Sequence, residues 1–586
     1  MANNFSNSKI KSTELRKEIS KYKTNIQSIS ELLKQKYNDA LTNNKLHSIL
    51  PILNEFIFQT SEEQAKILID TCENFSKSEK NKILVYTNVW ILGGIERVLS
   101  IMLSELSEHY TFILVTSGAQ TDVGYPLNSK IHHLKIPLGN PETIQKRLSI
   151  LSAMLNVSLF IGNPNSLPSF IKIYPVLKKL RIKSIAWNHY NYFFPYRVPF
   201  IYQLIPLRHK LLKSASASIW LTSSSALLYS IFNKNTACLS NPSPERTKIN
   251  PTFGKTIIAV ARFKDPMKMK RLDLILKSFQ LLLEKDPNAR LLVVGSYDKN
   301  SYIQPHYKET LGEVVNLINS DSPKVIFAGE QMNVEPYYLQ SSVFAMASES
   351  EGFGMVLAEA GSFGLPCVVF DYPGLEDIIS DGENGFIIPF GDINTMADKL
   401  YLLLNDKNVY DKMSCASSQM IKRFDKSIFA EKWEKLINII LQDCSQEQIN
   451  QHLSENFMPS PNSNFTSKII SEYKNNINFI LKQYKETNGK INNNLLTAFE
   501  GLNSKWNTEL KDKKANQFYI QACKDYEEFT YNLIKYYRRI NPIKSLLGNL
   551  RELKLKNLLM MTINNIKQYG IKDTLNKIAV MLNLSK

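Results

Sequence analysis

The chain has 586 residues, too many for one hydrophobic core, so two or three domains are expected. Its composition, 44% hydrophobic and 21% charged, excludes a disordered chain, and no stretch approaches 18 uninterrupted apolar residues, which excludes a bundle of membrane-spanning helices. The net charge of +17 favours an anionic partner.

The start, Met1-Ala-Asn-Asn-Phe-Ser-Asn-Ser8, is polar and has no apolar signal core. Residues 1–78 form a helical N-terminal extension by their spacing. Leu15, Ile19, Tyr22, Ile26, Ile29, Leu32 and Leu33 recur at helical intervals, and 62–75 continues the pattern. Residues 79–242 alternate strand and helix. The strands are expected at Lys82–Thr87, Tyr110–Thr116, His132–Pro137, Leu159–Gly162, Lys183–Trp187, Ala217–Leu221 and Thr236–Leu239. Such alternation predicts a parallel sheet covered by helices on both faces. Asn241-Pro-Ser-Pro-Glu245 then reads as a linker.

Residues 243–445 repeat the alternation, with strands expected at Thr256–Ala261, Arg290–Gly295, Val325–Ala328, Val343–Ala347, Cys367–Phe370 and Phe386–Pro389 and two helices over 406–445. A second doubly wound domain facing the first would leave a cleft at the carboxyl ends of both sets of strands. Residues 446–586 are helical in pattern and basic. Within 531–586 eleven Lys or Arg stand against Glu552 and Asp573 alone. Helices such as Leu553-Lys-Leu-Lys-Asn-Leu-Leu-Met-Met561 mix apolar and basic residues and suit an anionic membrane surface, with a packed helical domain or a homo-oligomer contact as alternatives. Nucleic acid is not expected, because no recognised motif accompanies the charge. The six cysteines are scattered without a C-x-x-C pair, which favours reduced thiols in a cytoplasmic protein over a disulfide frame or a zinc site.

The stretch Ser348-Glu-Ser-Glu-Gly-Phe-Gly-Met-Val-Leu-Ala-Glu-Ala360 carries the densest chemistry. It reads as a glycine-rich turn between a strand and a helix. Glu351 and Glu359 lie eight residues apart, ~12 Å along a helix axis with an angular offset of about 80°. Gly352 and Gly354 let backbone N–H groups at the helix start approach an anion. Two acids with an anion site between them suit a ligand bearing hydroxyls at both ends and a diphosphate in the middle, which describes a nucleotide sugar. Gly93 and Gly94 allow a second tight strand-to-helix turn after the first strand. Arg262 and Lys270 are cations that can meet a diphosphate, and His189 lies just past an apolar strand.

Glu351-Gly-Phe-Gly-(x)4-Glu359-Ala resembles the E-x7-E motif of retaining GT-B glycosyltransferases, family 4 (glycosyl transferases group 1). Gly93-Gly-Ile-Glu-Arg97, Val260-Ala-Arg-Phe263 with Lys270-Arg-Leu-Asp273, Val325-Ile-Phe-Ala-Gly329, Tyr337-Tyr338 and Asn384-Gly-Phe-Ile-Ile-Pro389 agree in order. The likeness covers roughly residues 80–445. It implies two facing Rossmann-like domains, the first on the acceptor side and the second holding the donor.

The same likeness implies roles. Glu359 would hold the ribose hydroxyls, a task suited to a carboxylate accepting two hydrogen bonds. Glu351 and His189 would stand near the transferred sugar, the histidine as hydrogen-bonding group or cation. Arg262 and Lys270 would stabilise the leaving diphosphate, and Lys268 remains an alternative to Lys270 because the segment is longer than usual. Gly93, Gly94, Gly352, Phe353 and Gly354 would line the donor site, and Gly329 and Met332 the base. No Asp-x-Asp sequence is present, so the expectation is no metal and no cofactor beyond the UDP- or GDP-sugar co-substrate. The expected activity is transfer to an acceptor hydroxyl on a glycan, a lipid-linked glycan or a protein, in bacterial surface glycan assembly. A polymerase, a protein-modifying effector of the same fold and a non-catalytic helical adaptor are the alternatives.

Overall fold

The computed structural model describes Gln35 and residues 78–532, apart from 92, 118–123, 137–140, 164–171, 195–204, 245–251, 264–269, 297–322, 461–464, 489–492, 510–520 and 531. The expected N-terminal helices, the basic tail over 531–586 and the alternative cation Lys268 lie outside the described residues.

The first domain runs β1 (Lys82–Thr87), α1 (Gly94–Leu106), β2 (Thr111–Ser117), β3 (His132–Ile136), α2 (Pro141–Met154), β4 (Leu159–Gly162), α3 (Ile173–Lys179), β5 (Lys183–Asn188), α4 (Ile205–Leu212), β6 (Ala217–Trp220), α5 (Ser223–Ser230) and β7 (Thr236–Cys238). The second continues β8 (Thr256–Val260), α6 (Leu272–Lys285), β9 (Arg290–Val294), β10 (Val325–Gly329), α7 (Glu335–Leu339), β11 (Val343–Met346), α8 (Met355–Ser362), β12 (Cys367–Phe370), β13 (Gly385–Ile388), α9 (Ile393–Asn405) and α10 (Lys407–Met420). Every strand lies within one residue of its expected ends. The reason is physical. Strands covered on both faces must be apolar throughout, and β4, β6, β11 and β12 are buried along their whole length.

Both sheets are parallel in every described pairing. Their strand orders are β3-β2-β1-β4-β5-β6-β7 and β10-β9-β8-β11-β12-β13. Each order reverses direction once, between β1 and β4 in the first sheet and between β8 and β11 in the second. In doubly wound sheets, ligands bind beyond the carboxyl ends of the strands at this switch.

One boundary needs correcting. Residues 243–445 were expected to belong wholly to the second domain, with a separate extension from 446. Instead α11 (Lys426–Leu441) and α12 (Gln446–Phe457) return to the first domain. Phe429, Trp433, Leu436, Ile437 and Ile440 form a buried stripe at helical spacing on α11. Trp433 packs 4.4 Å from Trp187 of β5, and Tyr110 Oη donates to Asn438 Oδ1 at 2.8 Å. On α12, Gln446 Nε2 donates to the Ser216 carbonyl at 2.9 Å, and Ser445 opens the helix with a reciprocal capping box to Gln448. An apolar stripe declares that a helix packs, but not against which sheet.

The chain separates into two compact units, 1–472 and 473–586, and the break falls inside α13 (Phe465–Asn488). Among the described residues the second unit is helical, as expected. Tyr473 stacks on Tyr526 at 5.8 Å and donates to Glu527 Oε2 at 3.0 Å, and Phe499 stacks on Phe529 from α14 (Asn493–Glu509). Among the described residues no helix is long and apolar enough to cross a membrane.

Candidate active site

Three loops leave the carboxyl ends of strands flanking the two switch points: Gly93–Gly94 after β1, Arg262–Lys270 after β8, and Ser348–Gly354 after β11. They carry most of the residues singled out from the sequence. Gly354 caps the start of α8 with φ +94°, a left-handed conformation that favours glycine, and no side chain caps the helix. That leaves the first turn of N–H groups to take an anion.

Around this helix start the described state is a set of ion pairs. Lys270 Nζ donates to Glu351 Oε1. The adjacent Arg271 reaches Glu349 Oε1 through Nη1 at 2.9 Å and grips Asp273 through Nε and Nη2 at 2.9 and 2.8 Å. These carboxylates hold its guanidinium well above its ordinary pKa. Arg271 also sits at φ +38° and ψ +50°, which costs a side-chain-bearing residue about 1–2 kcal/mol.

The first domain closes over both ends of the Glu351–Glu359 stretch. Near Glu351 the contact is backbone on backbone. A Cβ added to Gly352 would lie 1.8 Å from the His189 carbonyl oxygen, and Asn191 Nδ2 donates to Ser350 Oγ at 2.6 Å. At the far end Arg97 of α1 donates from Nη1 to Glu359 Oε1 at 2.6 Å, and Tyr338 donates from its hydroxyl to Glu359 Oε2 at 3.1 Å. Burial raises the pKa of Glu359, and Arg97 and the Tyr338 hydroxyl oppose that rise. Arg262 reaches over to the Gly93 turn, where Nη2 lies 3.4 Å from the position a Gly93 Cβ would take. Beside it Glu96, buried at the start of α1, has its pKa raised by desolvation and lowered in part by its own backbone N–H and by Arg262. Gly94 faces open space. Two further contacts hinge the domains: Asp377 accepts from the Ser223 N–H at 2.5 Å, and Gly374 fits against Thr222.

The structure therefore gathers Gly93, Arg262, Lys270, Glu351, Gly352, Gly354 and Glu359 along one seam. His189 joins it through its carbonyl. Its imidazole is buried, tilted against Trp187 with ring centres 4.5 Å apart, and burial lowers its pKa to about 3. Burial thus favours the neutral imidazole over the cation. Its Nε2 has no hydrogen-bond partner within the protein. Phe353 is buried edge-on to Phe424 at 5.2 Å, so its side chain supports the turn from the core. Gly329 ends β10 and Met332 follows it, outside that set. Gly329 has φ +72° and open space beside it, and Met332 is 81% exposed.

Several participants escaped the sequence reading. Arg97 was noticed but had no task, because its partner lies 262 positions away. Arg271 and Glu349 were passed over, although two adjacent bases and two alternate acids, Lys270-Arg271 and Glu349-Ser-Glu351, are complementary doublets. Lys468 of α13, from beyond the likeness, bonds Asp371 at 2.5 Å and also Glu376, behind the end of β12. Gly295 has φ +131°, and a Cβ there would lie 1.9 Å from the carbonyl oxygen of Ala261, the neighbour of Arg262. Among the described residues no three His, Cys, Asp or Glu side chains come together as metal ligands.

Residues 245–420 match the family of glycosyl transferases, group 1. That match covers most of the second domain. An uncharacterised glycosyltransferase of Haemophilus influenzae is 27% identical over 365 residues, covering 60% of this chain and 98% of that protein. The capsular polysaccharide biosynthesis glycosyltransferase CapM of Staphylococcus aureus is 27% identical over 179 residues, covering 30% of this chain and 45% of that protein. The chain thus spans nearly all of the first relative and about half of the second. A crystal structure of a glycosyltransferase from Rickettsia africae superposes with a TM-score of 0.50 at 15% identity, covering 63% of this chain and all of that one. That likeness carries the fold, the two-domain GT-B architecture expected from the sequence. The group 1 domain supplies Arg262, Lys270, Glu351 and Glu359, and the first domain supplies Gly93, Arg97 and His189.

Proposed function

We propose that this glycosyltransferase moves a sugar from a UDP- or GDP-sugar to an acceptor hydroxyl with retention of configuration at the anomeric carbon. The observation that supports the reading is the alignment of Glu351, the uncapped start of α8, Lys270, Arg262 and Glu359 at the switch points of two facing sheets. An elongated ligand laid along that line meets a carboxylate at the sugar, cations and N–H groups at the diphosphate, and a carboxylate at the ribose.

As the bond from the anomeric carbon to the phosphate oxygen breaks, negative charge grows on the diphosphate. Lys270, Arg262 and the first N–H groups of α8 are fixed opposite charge for it, and one such donor is typically worth ~3–4 kcal/mol in the transition state. The acceptor oxygen bonds to the anomeric carbon on the same face, and its proton passes to the leaving phosphate oxygen. His189 as neutral imidazole gives a hydrogen bond near the sugar. Lys270 and Arg97 lie on the two acids, so donor binding would exchange ion pairs within the protein for contacts with the ligand. The reaction is metal-independent in this reading, because side-chain cations neutralise the diphosphate, and turnover should persist in EDTA.

The biological setting follows from relatives. The Staphylococcus protein's name places it in capsular polysaccharide biosynthesis, which supports bacterial surface glycan assembly here, with a glycan, lipid-linked or protein acceptor. The basic 531–586 segment would bring the enzyme to an anionic cytoplasmic membrane face. The test is nucleotide release from UDP-glucose, UDP-galactose, UDP-N-acetylglucosamine and GDP-mannose by wild type, Glu359→Gln and Arg262→Ala. Equal rates in all three would defeat the assignment.

A further inference from the structure

We propose that Arg271 is a positioning residue that holds Lys270 at the diphosphate by tying the loop before α6 to the loop before α8. The inference rests on the donor reading above. Two adjacent cations each take one of two acids separated by a single residue: Lys270 bonds Glu351, and Arg271 bonds Glu349. The two pairs differ in what a donor would do to them. A diphosphate competes for Lys270 and releases Glu351 to face the sugar. Arg271 is held by two carboxylates, Glu349 and Asp273, and is the harder of the two cations to draw away. The Arg271 pair therefore persists and keeps the two anion-facing loops in register while the Lys270 pair is exchanged.

The backbone agrees with this division. Arg271 occupies the left-handed region, where a glycine would sit without strain. Glycine at this turn would be easier for the fold alone. The arginine is kept there by its fork on Asp273, by Glu349 and by the Phe390 ring 5.7 Å beneath its guanidinium. Asp273 anchors it to the first turn of α6, so the side chain is a brace between that turn and residue 349. Strain held by so many contacts beside a working cation points to positioning. The planar guanidinium grips Asp273 through two parallel donors while a third reaches Glu349, a fixed geometry that the single nitrogen of a lysine does not reproduce.

The experiment is steady-state kinetics of Arg271→Gly, Arg271→Lys and Glu349→Gln, alone and in the Lys270→Ala background, with melting temperatures. Arg271→Gly removes the brace and the backbone strain together. Its melting temperature should stay within about 3 °C of wild type, while kcat falls about tenfold and donor KM changes less than threefold, as expected when a transition-state contact is misplaced. Glu349→Gln should reproduce the loss, and Arg271→Lys should not rescue it. In the Lys270→Ala background each should cost less than twofold, because the residue through which they act is gone. Losses of equal size with and without Lys270, or an Arg271→Gly enzyme within twofold of wild type, overturn the proposal and leave the transferase reading standing. A wild type silent on every donor overturns both.

Discussion

The two ends of the Glu351–Glu359 stretch meet the first domain by different physics. At the Glu351 end the seam is steric. Gly352 lies so close under the His189 carbonyl that no side chain fits between them. At the Glu359 end the seam is ionic, with Arg97 on one carboxylate oxygen and Tyr338 on the other. A steric seam is sealed by shape and takes nothing between its faces. An ionic seam can be exchanged, because hydroxyls of a ligand can replace the arginine. In the proposed reading, the end that would meet the sugar is fixed by fit, and the end that would meet the ribose by charge.

The largest expected effect breaks the steric seam. Gly352→Ala puts a methyl carbon against the His189 backbone, and two main chains must move apart. Misplacement of reacting groups by about an ångström costs roughly 100-fold in rate, so kcat for transfer should fall on that order while the second domain still binds free nucleotide. An alanine variant with wild-type kcat would show that the domains never close as tightly as seen here. At the ionic seam Glu359→Gln keeps the shape and removes the charge. Hydrogen bonds to charged groups are worth about 1.5–3 kcal/mol, so donor KM should rise at least about tenfold with acceptor KM unmoved. A KM that stays put would take Glu359 out of donor recognition.

The contrast also explains what could be read from the sequence. The thirteen strands among the described residues were legible because buried parallel strands are apolar runs bounded by turns. Glu351, Glu359, Gly352 and Gly354 were legible because one short segment holds them. The path of α11 and α12 back to the first domain was not, since Trp433 shows an apolar face without showing that Trp187 receives it. Arg97 was not, because an ion pair closing 262 positions leaves no local pattern. Arg271 was hidden differently: its left-handed backbone is a property of the fold, and the residue type there predicts the opposite. The steric seam was invisible altogether, since Gly352 reads as a helix-start glycine and the atom it admits belongs to His189.

A smaller effect sharpens the steric side. Asn191→Ala deletes the 2.6 Å bond to Ser350 but leaves the backbone fit of Gly352 intact. A single net hydrogen bond is worth about 1 kcal/mol, so transfer should slow about fivefold. A 100-fold loss would mean that this side chain, and not the backbone fit, closes the seam.

The smallest effect at neutral pH is the most discriminating for the ionic side. Glu359 must be ionised to accept hydrogen bonds from a ribose diol. Burial raises its pKa above the ordinary 4.5, and Arg97 pulls it back down. In Arg97→Gln the opposing cation is gone, so the pKa rises further. The acid limb of kcat/KM for the donor should then move to higher pH, while the alkaline plateau, where Glu359 is ionised with or without the arginine, stays near that of wild type. Stability gives the same sign. An acid whose folded pKa exceeds its unfolded value loses stability as pH climbs from the unfolded value toward the folded one. The melting deficit of Arg97→Gln should therefore widen as pH is raised from below 4.5. If the acid limb stays fixed and the plateau itself collapses, Arg97 touches the donor directly, and the ionic seam is part of the binding site in the closed state and not a contact exchanged for ligand.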